Sequence, residues 1–245
     1  MSAKIKYDRV FVSDTHLGSK YCRAKELRQF LSSIECQELH LVGDVIDGWV
    51  VKRKGFRYWN DDHTGVLHQI LKLAAKKDTK VFWYAGNHDE FLFRFLGSFG
   101  HVNLLEQQVV LINDKKYLVL HGQQFDGLIK YSKLIYSLGS HLYNFMMWLN
   151  RRFNWFRRRV GLPYWSLSQK LKRSVKQAIK VVNNFEYAVE QYCKDHAVDG
   201  VICGHIHHAK QSTLGSIQYI NCGDWIEGAD ALVEKDNKLE LIKFR

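Results

Sequence analysis

Leu39-His40-Leu41-Val42-Gly43-Asp44-Val45-Ile46-Asp47 is the stretch from which the fold of this chain is read. Its first four residues make a short, mostly apolar run of the kind a sheet covered on both faces requires. The run then breaks on a glycine and two carboxylates. Gly43 lets the backbone turn sharply and brings Asp44 close in, where its two oxygens can bridge two cations, with Asp47 in support. A strand-to-helix turn with an aspartate cap is the competing reading. Outward from this stretch the same arrangement recurs. Arg9–Ser13 runs into Asp14-Thr15-His16, and Val81–Ala85 into Gly86-Asn87-His88-Asp89. Tyr117–Leu120 ends on His121-Gly122, and Val201–Cys203 on Gly204-His205-Ile206-His207.

Between the early strands, Ala24–Ile34 and Gly65–Lys76 carry apolar residues at helical spacing, for example Val66, Leu67, Ile70, Leu71 and Ala74. Further strands are expected at Val109–Ile112, Ile217–Asn221 and Leu239–Lys243. Early βαβ alternation followed by hairpin-like strands predicts an α/β sandwich built on a mixed sheet or a pair of sheets. With 245 residues, 46% of them hydrophobic and 13% aromatic, the chain is expected to be globular, and disorder is excluded. Residues 128–149 are apolar but interrupted by Lys130, Lys133 and His141, so no membrane span is expected. The N-terminus has no apolar signal core, and five scattered cysteines lack a C-x-x-C pair; both features point to the cytosol.

The net charge of +11 is unevenly placed. Residues 127–185 hold 12 Lys or Arg, no Asp or Glu, and 11 aromatics, whereas the other 186 residues hold 24 basic and 25 acidic side chains. The division expected is a core of residues 1–126 and 186–245 around a basic, aromatic-rich helical insertion, 127–185. An apolar stripe from Leu128 to Leu149 and a second helix from about Ser166 into the 190s would flank a hinge of Arg and Trp residues, forming a cap.

Taken singly, the polar elements have plain alternatives: Asp14 as a helix cap, a polar turn at Asn87–Asp89, a structural role for His121. As chemistry, D-x-H and H-x-H in extended chain would point two ligands to one side. Asn87 would offer a neutral oxygen. His88 would protonate or polarise a leaving oxygen, with Asp89 fixing its tautomer. The remaining histidines, including His40, His63 and His208, read as structural.

Together, in the order D-x-H, G-D-x-x-D, G-N-H-D, H-G, G-H-x-H, these elements resemble those of the calcineurin-like metallophosphoesterases, over the whole chain apart from the insertion. The resemblance implies a four-layer α/β/β/α sandwich. It implies that Asp14, His16, Asp44 and His207 hold one ion, and that Asp44, Asn87, His121 and His205 hold the second, with His88 near the leaving group. Imidazole and oxygen ligands without thiolate suit Mn(II), Fe or Zn. Two such ions would acidify a water for attack on phosphorus.

The insertion should choose the substrate. Arg151, Arg152, Arg157 and Arg158, interleaved with Trp and Phe, suit an anionic membrane surface. A solvated face is the plain alternative, and a nucleic-acid groove is the other functional one. Within the superfamily the chain is similar to the UDP-2,3-diacylglucosamine hydrolases of lipid A biosynthesis. Trp49, five residues beyond Asp44, the insertion after His121-Gly122, and Gly223-Asp224-Trp225 carry that likeness. It implies a lipid–nucleotide diphosphate substrate met by Trp49 and the insertion arginines, Mn(II), release of UMP, and a peripheral position on the cytoplasmic face of an inner membrane. Two positions depart from the pattern: His88 stands where those enzymes have arginine, and Gln123 where they have aspartate. A different lipid-linked or nucleotide diphosphate, or a soluble nucleotide or nucleic-acid phosphodiester, is the alternative substrate.

Overall fold

The computed structural model describes residues 4–76, 79–126, 148–149, 152–162 and 184–244. Two sheets are present among them. The first runs through β1 (Ile5–Val12), β2 (Ile34–Val42), β3 (Lys80–Tyr84), β4 (Gly97–Phe99), β5 (Val102–Leu105), β11 (Asp230–Lys235) and β12 (Lys238–Lys243), in the order β12-β11-β1-β2-β3-β5-β4. Its centre, β1-β2-β3-β5, is parallel, and antiparallel pairs close both sides. The second sheet has the order β6-β7-β8-β10-β9, from β6 (Gln107–Ile112), β7 (Lys115–Leu120), β8 (Gly200–Cys203), β9 (Lys210–Leu214) and β10 (Ile217–Asn221).

Alternation along the central strands sorts their side chains between two cores. Val10, Val12, Leu39, Leu41 and Val81 face helices α1 (Ala24–Ser33) and α3 (Asp61–Ala74), where they meet Leu27, Phe30, Leu31, Val66 and Ile70. Phe11, Val42, Phe82 and Tyr84 face the other way, onto Val110, Tyr117, Val119, Ile202 and Ile220 of the second sheet. His40 lies among them as a buried structural histidine. It stacks between Phe11 and Phe82 and bonds to Tyr84 Oη at 3.0 Å and Glu38 Oε2 at 3.2 Å. His63 likewise serves the backbone, closing a capping box with Asn60 at the start of α3. The fold is thus the mixed α/β sandwich expected, with helices on the first sheet. Tyr192, in the helix Asn184–Asp195, bonds to Gln107 of β6 at 3.1 Å.

Several elements differ from the sequence reading. β2 begins at Ile34, directly on the end of α1, so the whole stretch Ile34–Val42 is strand. The short strands β4, β5 and β9 and the whole of β11 are not among the strands expected. β9 is Lys-Gln-Ser-Thr-Leu, an edge strand with almost no apolar signal to find. Helix α2 (Gly48–Lys54), capped by Asp47, has no buried residue, so it leaves no amphipathic pattern.

The chain divides into two compact units, Met1–Gln124 with Tyr192–Arg245, and Phe125–Gln191. In the second, residues 152–159 are helical. That corrects the hinge expected around Arg151–Arg159: no glycine or proline interrupts the run before Gly161, so nothing there breaks a helix. Arg151, most of the Leu128–Leu149 stripe and the first part of the second long helix lie outside the described residues. No helix among the described residues is long and apolar enough to cross a membrane.

Candidate metal centre

All of the expected ligands stand at or just beyond strand ends. Asp14 and His16 follow β1, Asp44 follows β2, Asn87 follows β3, His121 follows β7, and His205 and His207 follow β8. The backbone that carries them is not extended. Asp14 (φ 51°), His16 (48°), Asp44 (53°), His205 (70°) and His207 (52°) are all left-handed. The D-x-H and H-x-H pairs therefore converge through paired left-handed residues, which corrects the extended geometry expected. This conformation costs roughly 1–2 kcal/mol per non-glycine residue, strain that the surrounding fold must hold. Loop-to-loop bonds hold it. Asp14 N–H donates to Gly43 O (3.2 Å), His16 N–H to Asp44 O (2.9 Å), and Trp225 N–H to Asp14 O (3.1 Å). The turns also pack too closely for side chains at their glycines. A Cβ on Gly43 (φ +79°) would enter the His121 ring, and one on Gly204 would enter Ser13 and the Asp14 carboxylate.

The side chains form one continuous cluster. His207 Nε2 lies 3.3 Å from Asp14 Oδ1 and 3.4 Å from His16 Nε2. His16 Nε2 is 3.8 Å from both Asp14 Oδ1 and Asp44 Oδ2. The other oxygen-facing partner of Asp44 is His121, whose Nε2 is 3.2 Å from Oδ2. Two sets of ligand atoms, Asp14/His16/His207 and Asp44/His121/His205, each lie within 4.8 Å of one another, with Asp44 within 3.8 Å of the first set at His16. A third set joins His88 to His16 and Asp44, so the histidine expected near the leaving group borders the same centre.

Charge in the cluster is arranged to receive cations. Burial alone would raise the Asp44 carboxyl, but His121, the His88 N–H (2.7 Å) and His16 bring its pKa down to about 2. Burial opposes protonation of His16, yet Asp14 and Asp47 outweigh it and lift the ring to about 10. His121 is lifted in the same way to about 9, with Asp14 and Asp44 overcoming its burial. In an ion-free site the carboxylates are thus ionised and His16 and His121 carry the protons, positive charge standing where ions would sit. Three buried atoms make the fit specific, because none has a hydrogen-bond partner: Asp14 Oδ1, Asn87 Oδ1 and His121 Nε2. Unsatisfied buried polar atoms are costly, and a divalent ion is what this donor set would satisfy. The residues present fit two such ions.

His121, His16 and His88 are each aimed through the ring's other nitrogen. Val42 O takes His121 Nδ1 at 2.9 Å, and Asp47 Oδ2 lies 3.5 Å from His16 Nδ1. Asp47 Oδ1 also holds His88 Nδ1 at 3.0 Å. The carboxylate expected to fix the His88 tautomer was Asp89; the structure gives that contact to Asp47. Asp89 is buried and turned to the backbone, accepting from Gly86 N (2.6 Å), Val45 N (2.9 Å) and Asp44 N (3.3 Å), and from the Trp83 indole (3.3 Å). Trp49, expected to meet substrate, stacks on His88 with ring centroids 3.9 Å apart and is half exposed.

The insertion arginines are described only within their own unit. Arg152 and Arg158 are exposed. Arg152 lies over the Trp148 ring (5.6 Å), Arg157 over Phe153 (5.7 Å) and Arg159 over Trp155 (4.1 Å). Sequence reasoning missed Ser13, which donates to the Asp14 carboxylate at 2.5 Å and has no motif of its own. It also assigned no task to Asp224.

A family model described as calcineurin-like phosphoesterase matches residues 9–209. Over 96% of this chain and 98% of theirs, proteins of Photorhabdus laumondii (24% identical) and Serratia proteamaculans (27% identical) are similar to it; both are named UDP-2,3-diacylglucosamine hydrolase. Among solved structures, a novel archaeal phosphodiesterase aligns over 96% of this chain and 98% of its own, at 14% identity and a TM-score of 0.43.

Proposed function

This chain belongs to the calcineurin-like phosphoesterase family of metal-dependent hydrolases, and on that premise we propose that it cleaves the pyrophosphate of a UDP-2,3-diacylglucosamine-like lipid–nucleotide conjugate at an anionic membrane surface. The observation that carries the reaction class is the convergence of Asp14, His16, Asp44, His121, His205 and His207, with Asp14, His121 and the nearby candidate Asn87 each holding an orphaned buried donor or acceptor atom. The full-length likeness to hydrolases named for that lipid supports the substrate.

Asp14, His16, Asp44 and His207 would hold one divalent ion, and Asp44, Asn87, His121 and His205 the other, Mn(II) being the first candidate and Fe or Zn the next. Two ions so bound supply Lewis acidity to the phosphoryl oxygens and acidify the attacking water. The chain's own groups do the rest. Two ligand carboxylates against two dications leave the centre net positive, which favours an anionic diphosphate. With Nδ1 held by Asp47, His88 keeps Nε2 for the leaving oxygen. Trp49, stacked on the same ring, limits its rotation and offers an apolar wall beside it. Arg152, over the Trp148 indole, Arg157, over the Phe153 ring, and exposed Arg158 suit phosphate headgroups.

Phosphorus NMR of the products from UDP-2,3-diacylglucosamine with Mn(II) tests the reading. UMP and a lipid sugar phosphate are expected. Turnover of an oligonucleotide or a simple nucleotide diester, with the lipid conjugate untouched, would replace it.

A further inference from the structure

Gly223-Asp224-Trp225 is left without a task by the reaction described above. The segment follows β10 and is buried: Asp224 is 2% exposed and Trp225 fully enclosed. Its two carboxylate oxygens do different work. Oδ1 accepts three backbone N–H groups, from Ile226, Glu227 and Gly228, each at 2.8 Å. Oδ2 lies 3.5 Å from His207 Nδ1. On the far side of that ring, Nε2 faces Asp14 Oδ1 at 3.3 Å. The next residue completes the link, since Trp225 N–H donates to Asp14 O. The turn thus grips both the first and the last ligand of one ion site, by a side chain and by the backbone.

We infer that Asp224 is a positioning residue that fixes the His207 ring with Nδ1 protonated, so that Nε2 is the nitrogen presented to a divalent ion. A histidine ligand needs its far nitrogen held by an acceptor, because a neutral imidazole carries one proton and that proton must be off the coordinating atom. Val42 O does this for His121, and Asp47 does it for His16. His207, more exposed than either, has Asp224. The inference rests on the ion site of the proposed function and adds to it the residue that sets the ligand's tautomer.

Asp224→Asn separates this role from a structural one. The three N–H groups fix an oxygen at the Oδ1 position, so the new NH2 must face His207 Nδ1. That group donates, which demands the opposite tautomer and puts the proton on Nε2. In Asp224→Ala, the turn loses its acceptor as well. The measurement is titration of ion-free protein with Zn(II) or Mn(II) against a chelating indicator, alongside thermal melting of the ion-free forms. The wild type is expected to take up two ions. Asp224→Asn should melt close to the wild type yet bind one of its two ions about 10–100-fold more weakly, while Asp224→Ala should also melt lower. Asp224→Asn that binds both ions with wild-type affinity overturns the inference and leaves the two-ion centre standing. A wild type that does not take up two ions overturns the two-ion centre, and this inference with it.

Discussion

In the unit formed by Met1–Gln124 and Tyr192–Arg245, the functional charges are mostly buried and paired. Within Phe125–Gln191, the 59 residues 127–185 carry 12 positive side chains and no negative one. The first unit places Asp14, Asp44, His16 and His121 almost out of contact with solvent, each held by backbone or carboxylate. The second shows Trp148, Trp155 and Phe156 more than half exposed, with Arg152 over the Trp148 ring and Arg159 over the Trp155 ring. The contrast separates two kinds of specificity. Cleaving a phosphoester bond requires fixed ligand geometry, which tolerates no displaced side chain. Holding a lipid–water interface, the role proposed for the second unit, requires area, charge and aromatic rings, and composition can supply these without a single fixed contact.

The comparison breaks most readily at the ligand shared by both ion sets. Asp44→Ala should lower phosphodiester turnover at least ~10³-fold, since metal-assisted charge stabilisation is worth several kcal/mol. Wild-type turnover in that variant would remove the two-ion centre. His88→Ala should leave metal uptake intact and reduce kcat about 10²-fold, as loss of a proton donor does. An unchanged kcat would show that His88 stands outside the reaction.

A sharper contrast lies between two carboxylates of the same unit. Asp47→Ala is expected to cost roughly 10–100-fold in kcat by releasing His16 and His88. Asp89→Ala strands three buried backbone N–H groups at about 1–3 kcal/mol each, so its first effect should be a fall in melting temperature. Reversal of that pattern would return the orienting role to Asp89. On the other side of the comparison, Arg152, Arg157 and Arg158 changed together to alanine should weaken vesicle binding by about 1 kcal/mol per residue, and less at high salt. Flotation with anionic vesicles measures this, and unchanged flotation would leave the basic segment without its proposed partner.

The smallest effect concerns pH. His16, at about 10, and His121, at about 9, are raised above the ordinary 6.5 in the ion-free site. The stability they add is fully present below about 6.5 and is lost as pH rises through 9 to 10. Ion-free protein should therefore melt lower across that window. Metal uptake near neutral pH should release protons, which calorimetry in two buffers of different ionisation enthalpy will count. Uptake without proton release would contradict the charge arrangement of the cluster.

Much of this was legible in the chain because the site sits where apolar runs end. Leu39–Val42, Val81–Ala85 and Val201–Cys203 announce strands, and the polar residues after them stand at the same rim whatever the sheet order. Elements with little or no buried face were illegible. Exposed α2 and polar β9 follow from tertiary placement, since their residues carry no periodic apolar signal. The left-handed backbone of five ligands was illegible too. Aspartate and histidine tolerate that conformation without requiring it, and only the crossing loops impose it.

What the sequence determined by itself was the inventory: the α/β pattern, seven candidate ligand side chains at strand ends, and the separation of basic from neutral segments. These depend on residue type and short spacing, which the chain carries locally. The tertiary structure alone decided the pairings. It put Asp47 rather than Asp89 against His88, Asp224 behind His207, and Val42 O behind His121. Those contacts join positions between 17 and 79 residues apart or turn a neighbouring side chain away, and which groups meet at such range is fixed only when the two sheets and their loops pack together.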